Sequence, residues 1–422
     1  MGYQFLLDIA IILLSTKILG LITKRFHMPQ VVGALLAGLL LGPAMFGVLT
    51  ETEFLTQLSE VGVIVLMFCA GLETEIDQLK KAGLASFIIA LFGVLVPLGG
   101  GFLVSYFFNT STDGASASPL LQNLFIGVIL TATSVSITVE TLKEMGKLNT
   151  KSGNAILGAA VIDDVLGIIA LTMITSLAGG SDGSVSDGIG MVLLKILLFF
   201  VFLFVVGFIF YTFFRKWTST YKNNMRRFVI TAFVFCLLMA YFSETLFGVA
   251  DITGAFFAGL IISSTEKSHY ISARFDTLSY LLLSPIFFAS IGLKVELPRM
   301  TSAIVLFSVL LAVVAILTKI IGCGLGAKIM KYSTKDCLRI GVGMISRGEV
   351  ALIVANKGEA VGLMNKDFMG PVIIVVLVTT IIAPILLPLV YRSKNNEEER
   401  HTSPLLESVE SMEKYQDTTI PK

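Results

Sequence analysis

Two carboxylates stand side by side in AILGAAVIDDVLGIIALTMITSLAG (155–179), a stretch apolar enough to cross a bilayer. A central Asp costs roughly 2.5–3.5 kcal/mol on insertion scales, so Asp163 and Asp164 together need a partner or a use. Other ionisable groups lie equally deep: Lys319 in LLAVVAILTKIIGCGLG, and Arg347 with Glu349 in CLRIGVGMISRGEVALIVAN. Three acids against two bases leave one carboxylate without a fixed countercharge. Neighbours on a helix point about 100° apart, so Asp163 and Asp164 cannot both face one partner. One can pair with Lys319 while the other faces an aqueous cavity. An unpaired carboxylate at that depth is a site for a proton or a small cation. Competition between the two for one set of oxygens is the chemistry of an antiporter. A buried Asp–Lys pair that merely locks helices together is the plainer alternative; five charges near one depth weigh against it.

Two polar stretches complete the candidate site. ILTATSVSITVE (129–140) puts Thr131, Thr133, Ser134, Ser136 and Thr138 in mid-span, and GMISRGEV (343–350) does the same with Gly, Ser, Arg and Glu. Such centres are expected of discontinuous helices, whose freed carbonyls and dipole ends can face an ion. Irregular backbone at membrane depth is tolerated only where protein or water satisfies it. Arg347 and Glu349 would compensate the half-helix ends if the two broken helices cross. Ser/Thr packing between intact helices is the alternative for the hydroxyl run.

The elements that must position these groups are membrane spans. The 422 residues are 55% hydrophobic and 14% charged, against roughly a quarter charged in soluble domains. Apolar runs of about 20 residues match the hydrocarbon thickness. Thirteen spans can be drawn, at about 3–22, 31–48, 57–73, 82–108, 120–142, 153–178, 190–214, 227–247, 251–265, 278–294, 302–328, 337–356 and 370–391. Lys and Arg concentrate in alternate loops (Lys24/Arg25, Lys80/Lys81, Lys143/Lys147/Lys151, 215–227, Lys267/Arg274, 328–335), while 50–53, 109–118 and 179–188 have none. This predicts an outside N-terminus and a cytoplasmic C-terminus. Lys24 and Arg25 follow rather than precede the first apolar run, so a retained helix is expected instead of a signal peptide. Residues 392–422 are polar and mixed in charge, and read as a cytoplasmic tail.

Other function classes fit poorly. The net charge of +1 and the lack of basic clusters give no reason to expect nucleic acid as a partner. Cys69, Cys236, Cys323 and Cys337 have no metal-type spacing, and His27, His269 and His401 form no catalytic constellation, so no cofactor and no enzyme activity are expected. A channel would need a continuous polar path.

The chain also resembles itself. GALLAGLLLGP (33–43) and GAFFAGLIISS (254–264) share G-A-x-x-A-G-L, and MFCAGLETEI (67–76) matches FFASIGLKVEL (287–297), both at about 221 residues. Two matches at one offset read as a duplication. Six spans, a seventh at 190–214 as linker, and six more give inverted halves, with the substrate site expected at the midplane.

The combination T-A-T-S-V-x-I-T, A-x-V-I-D-D-V-L-G, a mid-span Lys and S-R-G-E-V-x-L-I-V-A resembles the bacterial sodium/proton antiporters of the NapA type, in the Kef-related branch of monovalent cation:proton antiporters. The resemblance implies an all-α NhaA/NapA-like fold of about thirteen transmembrane helices, with inverted six-helix repeats and two discontinuous crossing helices. It implies a homodimer within the cell membrane, in which a core (82–178 and 302–391) moves against a dimerisation domain (3–73 and 227–294). By that resemblance Asp164 is the main carrier of Na⁺ and of the proton, and Asp163 holds Lys319 until a cation enters. Thr131, Thr133 and Ser134 are supporting ligands, and Arg347 and Glu349 are helix-crossing charges. Kef-type potassium systems usually carry Gln at the position of Asp163 and a large nucleotide-binding domain. Electrogenic Na⁺ (or Li⁺) exchange for H⁺ is therefore expected, with K⁺/H⁺ exchange the alternative.

Overall fold

The computed structural model describes residues 3–26, 28–74, 76–108, 117–177, 189–220, 226–295, 301–365 and 368–392. The tail beyond Arg392, most of the loops at 109–118 and 179–188, His27 and His401 lie outside them. Among the described residues the secondary structure is helical throughout, and ten helices are long and apolar enough to cross a membrane.

The helices run α1 (Gln4–Arg25), α2 (Gln30–Leu41), α3 (Glu53–Glu73), α4 (Ile76–Phe108), α5 (Pro119–Thr131), α6 (Val135–Glu144), α7 (Lys151–Leu177), α8 (Ile189–Thr220), α9 (Arg226–Phe247), α10 (Asp251–Ser263), α11 (Ser268–Leu278), α12 (Ser284–Leu293), α13 (Ser302–Ile329), α14 (Thr334–Gly343), α15 (Glu349–Ala360) and α16 (Met369–Tyr391). Their ends follow local chemistry. The Thr52 hydroxyl accepts from the Leu55 N–H at the start of α3, and Ser333 accepts from Asp336 at the start of α14, each satisfying a donor that lacks a helical partner. The span expected at 31–48 stops at Leu41, because Gly42 and Pro43 follow and the residue before a proline is pushed out of the helical region. The span expected to start at 278 starts ten residues earlier: α11 is polar on one side and joins α12 through a π turn at Ser279–Leu283. Pro285 cannot donate to the carbonyl four residues back, and a wider turn accommodates that gap.

The helices pack in two groups. In one, α3 lies along α10 and α12, α2 along α1 and α12, and α10 along α9. In the other, α4 lies along α13, α5 and α7, and α13 along α14 and α16. The groups meet where α6 touches α2 and α3 and where α16 touches α2, and α8 runs beside α7, α9 and α10.

Four glycines of the sequence motifs make close backbone approaches in the first group. A Cβ on Gly38 would fall 1.9 Å from the Ala289 carbonyl, and one on Gly292 would fall 2.4 Å from the Leu39 nitrogen. Likewise Gly71 packs on Phe256 and Gly259 on Phe68, at 2.1 and 2.2 Å. Each motif of one half therefore crosses the other motif of the other half, backbone against backbone.

Candidate functional site

The second group contains the charged depth of the protein. The long apolar stretch at 119–144 is not one helix: α5 ends at Thr131, and α6 begins at Val135. The stretch drawn at 337–356 is likewise split, between Gly343 and Glu349. The two interruptions touch. The Ser134 N–H donates to the Ser346 carbonyl (2.7 Å), and the Ser346 hydroxyl donates to the Ser134 carbonyl (2.9 Å). One turn into α6, the Thr138 hydroxyl donates to the Gly343 carbonyl at 2.7 Å and lies 2.9 Å from the Ser346 hydroxyl.

Arg347 sits in the second interruption and is 0% exposed. Among the described residues its guanidinium forms no ion pair with a carboxylate. It donates to the carbonyls of Ile345 (3.0 Å), Leu130 (2.7 Å) and Ala315 (3.1 Å). Leu130 and Ile345 are at the C-terminal ends of α5 and α14, where helical carbonyls lack donors and the dipole is negative. One cation thus serves two half-helices at once. The Thr380 hydroxyl of α16 donates to the Arg347 carbonyl and fixes the backbone there. Glu349 opens α15, at the N-terminal end where an acid suits the dipole; its side chain lies outside the described part.

On α7 the adjacent acids differ. Asp163 is 2% exposed, with its two oxygens 3.1 and 3.2 Å from Lys319 Nζ of α13, itself 0% exposed. The Thr133 hydroxyl, from the first interruption, donates to Asp163 Oδ2 at 2.7 Å. Gly93 of α4 keeps the pair closely packed: a Cβ there would come within 2.7 Å of Cys323 Sγ and 3.8 Å of Lys319 Nζ. Asp164 is half-buried and, among the described residues, has no hydrogen bond or ion pair. Leu157 and Ala160, on the same helical face as Asp164, line a crevice with Thr133, Ser134, Thr138 and Gly343.

Of the residues picked out in the sequence, Asp163, Lys319 and Thr133 are in direct contact, and Ser134 and Arg347 belong to the interruptions beside them. Thr131, 1% exposed, donates back into its own helix, to the Val128 carbonyl at 2.7 Å, and the Ser134 hydroxyl lies 3.3 Å from that of Ser136. Ser346, from the GMISRGEV stretch, carries bonds that join the two breaks, and Thr380, which no sequence motif marks, holds the Arg347 carbonyl. Thr380 is an ordinary hydroxyl in an apolar helix, and nothing in its spacing links it to Arg347. Among the described residues no cluster of His, Cys, Asp and Glu suits a metal ion as resident cofactor, and the four cysteines are buried and free.

The chain matches the family described as "Sodium/hydrogen exchanger, transmembrane" over residues 10–392. It is 39% identical over 395 residues to the Na(+)/H(+)-K(+) antiporter GerN of Bacillus cereus, covering 94% of this chain and 98% of that protein. It is also 39% identical over 391 residues to a Na(+)/H(+) antiporter of Enterococcus hirae, covering 91% and 97%. In fold it is similar to the sodium proton antiporter MjNhaP1 of Methanocaldococcus jannaschii, with TM-score 0.64 at 18% identity over 91% of this chain and 97% of that one.

Proposed function

The chain belongs to the sodium/hydrogen exchanger family, and from that premise we propose that it exchanges Na⁺ for H⁺ across the cell membrane by alternating access. The observation that carries this reading is the contrast on α7: Asp163 held by Lys319, and Asp164 without a partner beside two interrupted helices. Asp164 is the group for which Na⁺ and the proton compete. Asp163 releases Lys319 when the cation enters and recovers it when the cation leaves. A hard cation that has shed water prefers oxygen ligands, and carboxylate, Thr133, Ser134 and Thr131 offer such atoms around the break. If Lys319 and Asp164 each release a proton per cycle, one net charge crosses per Na⁺, worth about 2.3 kcal/mol per 100 mV.

We read the architecture as thirteen crossings in two inverted halves of the NapA type, in the Kef-related branch. The ten long helices, the two shorter apolar helices α2 and α10, and α14 with α15 as one broken crossing add up to that number. The reciprocal crossing of the motif glycines favours two related halves. The group holding α4–α7 and α13–α16 is the moving core. The group holding α1–α3 and α9–α12 is the scaffold through which two copies associate, α8 links the two, and the amino terminus is outside. K⁺ is the second cation to test, because the GerN relative carries K⁺ in its name.

Fluorescence dequenching in acid-loaded everted vesicles on adding Na⁺, Li⁺ or K⁺ tests the reading. Dequenching is expected with Na⁺, and Asp164→Asn is expected to abolish it. Exchange at the wild-type rate in that variant would overturn the assignment of Asp164.

A further inference from the structure

The last turn of α6 points away from the interruption and into the other group of helices. Lys143 Nζ lies 3.0 Å from Glu73 Oε1 at the end of α3 and forms a second ion pair with Asp276 Oδ1 of α11. Ser272, one turn earlier on α11, donates to the other oxygen of Asp276 at 3.2 Å. The next residue, Glu144, accepts the Gln30 N–H at 2.8 Å with each of its oxygens, and so caps α2, where helical amides lack partners. Two consecutive side chains on a half-helix of the core thus grip α2, α3 and α11. Elsewhere on the boundary, Ile291 of α12 and Lys294 and Val295 just beyond it share a small cavity with Leu352 of α15 and with Ile373 and Val376 of α16.

We propose that Lys143 is an ionic latch of the exchange cycle: its pairs with Glu73 and Asp276 hold the core against the scaffold on the cytoplasmic side, and their rupture lets Asp164 face the cytoplasm. The inference rests on the antiport reading, which supplies the motion between the two groups. The side chains have the exposure a latch needs. Those of Lys143, Glu73 and Asp276 are 24%, 17% and 28% exposed, whereas those of Lys319 and Asp163 are 0% and 1% exposed. An ion pair with access to water opens at small cost, while a fully buried one leaves an unpaired charge when it breaks. The position fits as well, since Lys143 and the Ser134 interruption are joined by the continuous helix α6, ten residues long, with Lys143 in its last turn. Displacement of the site is transmitted to the latch along a rigid element.

The test is a reversible cross-link. Lys143→Cys with Asp276→Cys, in a Cys69→Ala background because Cys69 lies one turn before Glu73, is bridged by a short bis-methanethiosulfonate reagent and released with dithiothreitol. Exchange is expected to fall at least tenfold when bridged, because a covalent tie removes one of the two states, and to return on reduction. Full exchange in the bridged protein would overturn the latch. Wild-type vesicles measured alongside test antiport itself, so failure of that reading shows separately. A second measurement needs no transport: labelling of Ala160→Cys, in the crevice below Asp164, by an impermeant maleimide from the cytoplasmic face. Lys143→Gln is expected to raise that labelling rate about fivefold, the size one partly exposed ion pair carries. Equal rates with and without Lys143 would also overturn the proposal.

Discussion

The two helix interruptions differ in length and in chemistry. The first, between α5 and α6, spans Ala132, Thr133 and Ser134 and contains no charge. The second, between α14 and α15, runs from Met344 to Gly348 and includes Arg347. Each break leaves carbonyls at one half-helix end and amides at the other. The second break supplies the cation for the carbonyls of both, through Arg347 to Leu130 and Ile345. The first is thereby relieved of carrying a charge and can present a hydroxyl to Asp163. Charge compensation and the hydroxyl that reaches Asp163 are thus divided between two segments of chain.

The comparison breaks most severely at Arg347. Arg347→Met leaves the buried carbonyls of Leu130 and Ile345 without that donor, at roughly 1–3 kcal/mol each, and the folded protein is expected to be lost from detergent extracts; a melting temperature equal to that of the wild type would refute the supporting role. Arg347→Lys keeps the charge without the fork and is expected to melt between the two. Thr133→Val is a smaller and more selective change. It keeps the shape and removes one hydrogen bond to a carboxylate, so the half-saturating Na⁺ concentration is expected to change by roughly tenfold, with the melting temperature nearly kept. An unchanged Na⁺ response would move the ligand role elsewhere in the break. Gly348→Ala has the mildest expected effect. Its backbone is extended, and the new Cβ would meet the Ser134 hydroxyl at 2.8 Å, which can rotate away, and the Ser134 Cβ at 3.0 Å, which must shift by a few tenths of an ångström. A shifted preference between Na⁺ and Li⁺ in that variant would sharpen the case for Ser134 as a ligand, and an unaltered preference would assign that role to Thr133 alone.

Much of this arrangement is legible in the sequence. Charged residues stand out in apolar stretches because nothing else explains their cost, and mid-span hydroxyls and glycines point to interrupted helices for the same reason. What stayed hidden was made of backbone. Ala315 and Leu130 are apolar in sequence, and their carbonyls, which accept from Arg347, have no signature in residue type. The start of α11 was hidden because Ser268, His269, Ser272 and Asp276 resemble a loop, although they form a helix whose Ser272 and Asp276 meet at the boundary between the two groups. Lys143 illustrates the same limit. Counted among the loop cations that set topology, it gives no sign in the sequence of the two acids it meets, which lie 70 residues before it and 133 after it in the chain.

The interlocked glycines set a constraint on how this chain can change. Gly38 is held small by the backbone at Ala289, and Gly292 by the backbone at Leu39; Gly71 and Gly259 are held by Phe256 and Phe68 in the same way. A larger residue at any one of them meets main chain from the opposite half, which no side-chain substitution can move aside. Drift in one half is therefore policed by the other, and the four positions form a mutual record. All four positions fall in the short motifs that share residues at about 221 residues' separation.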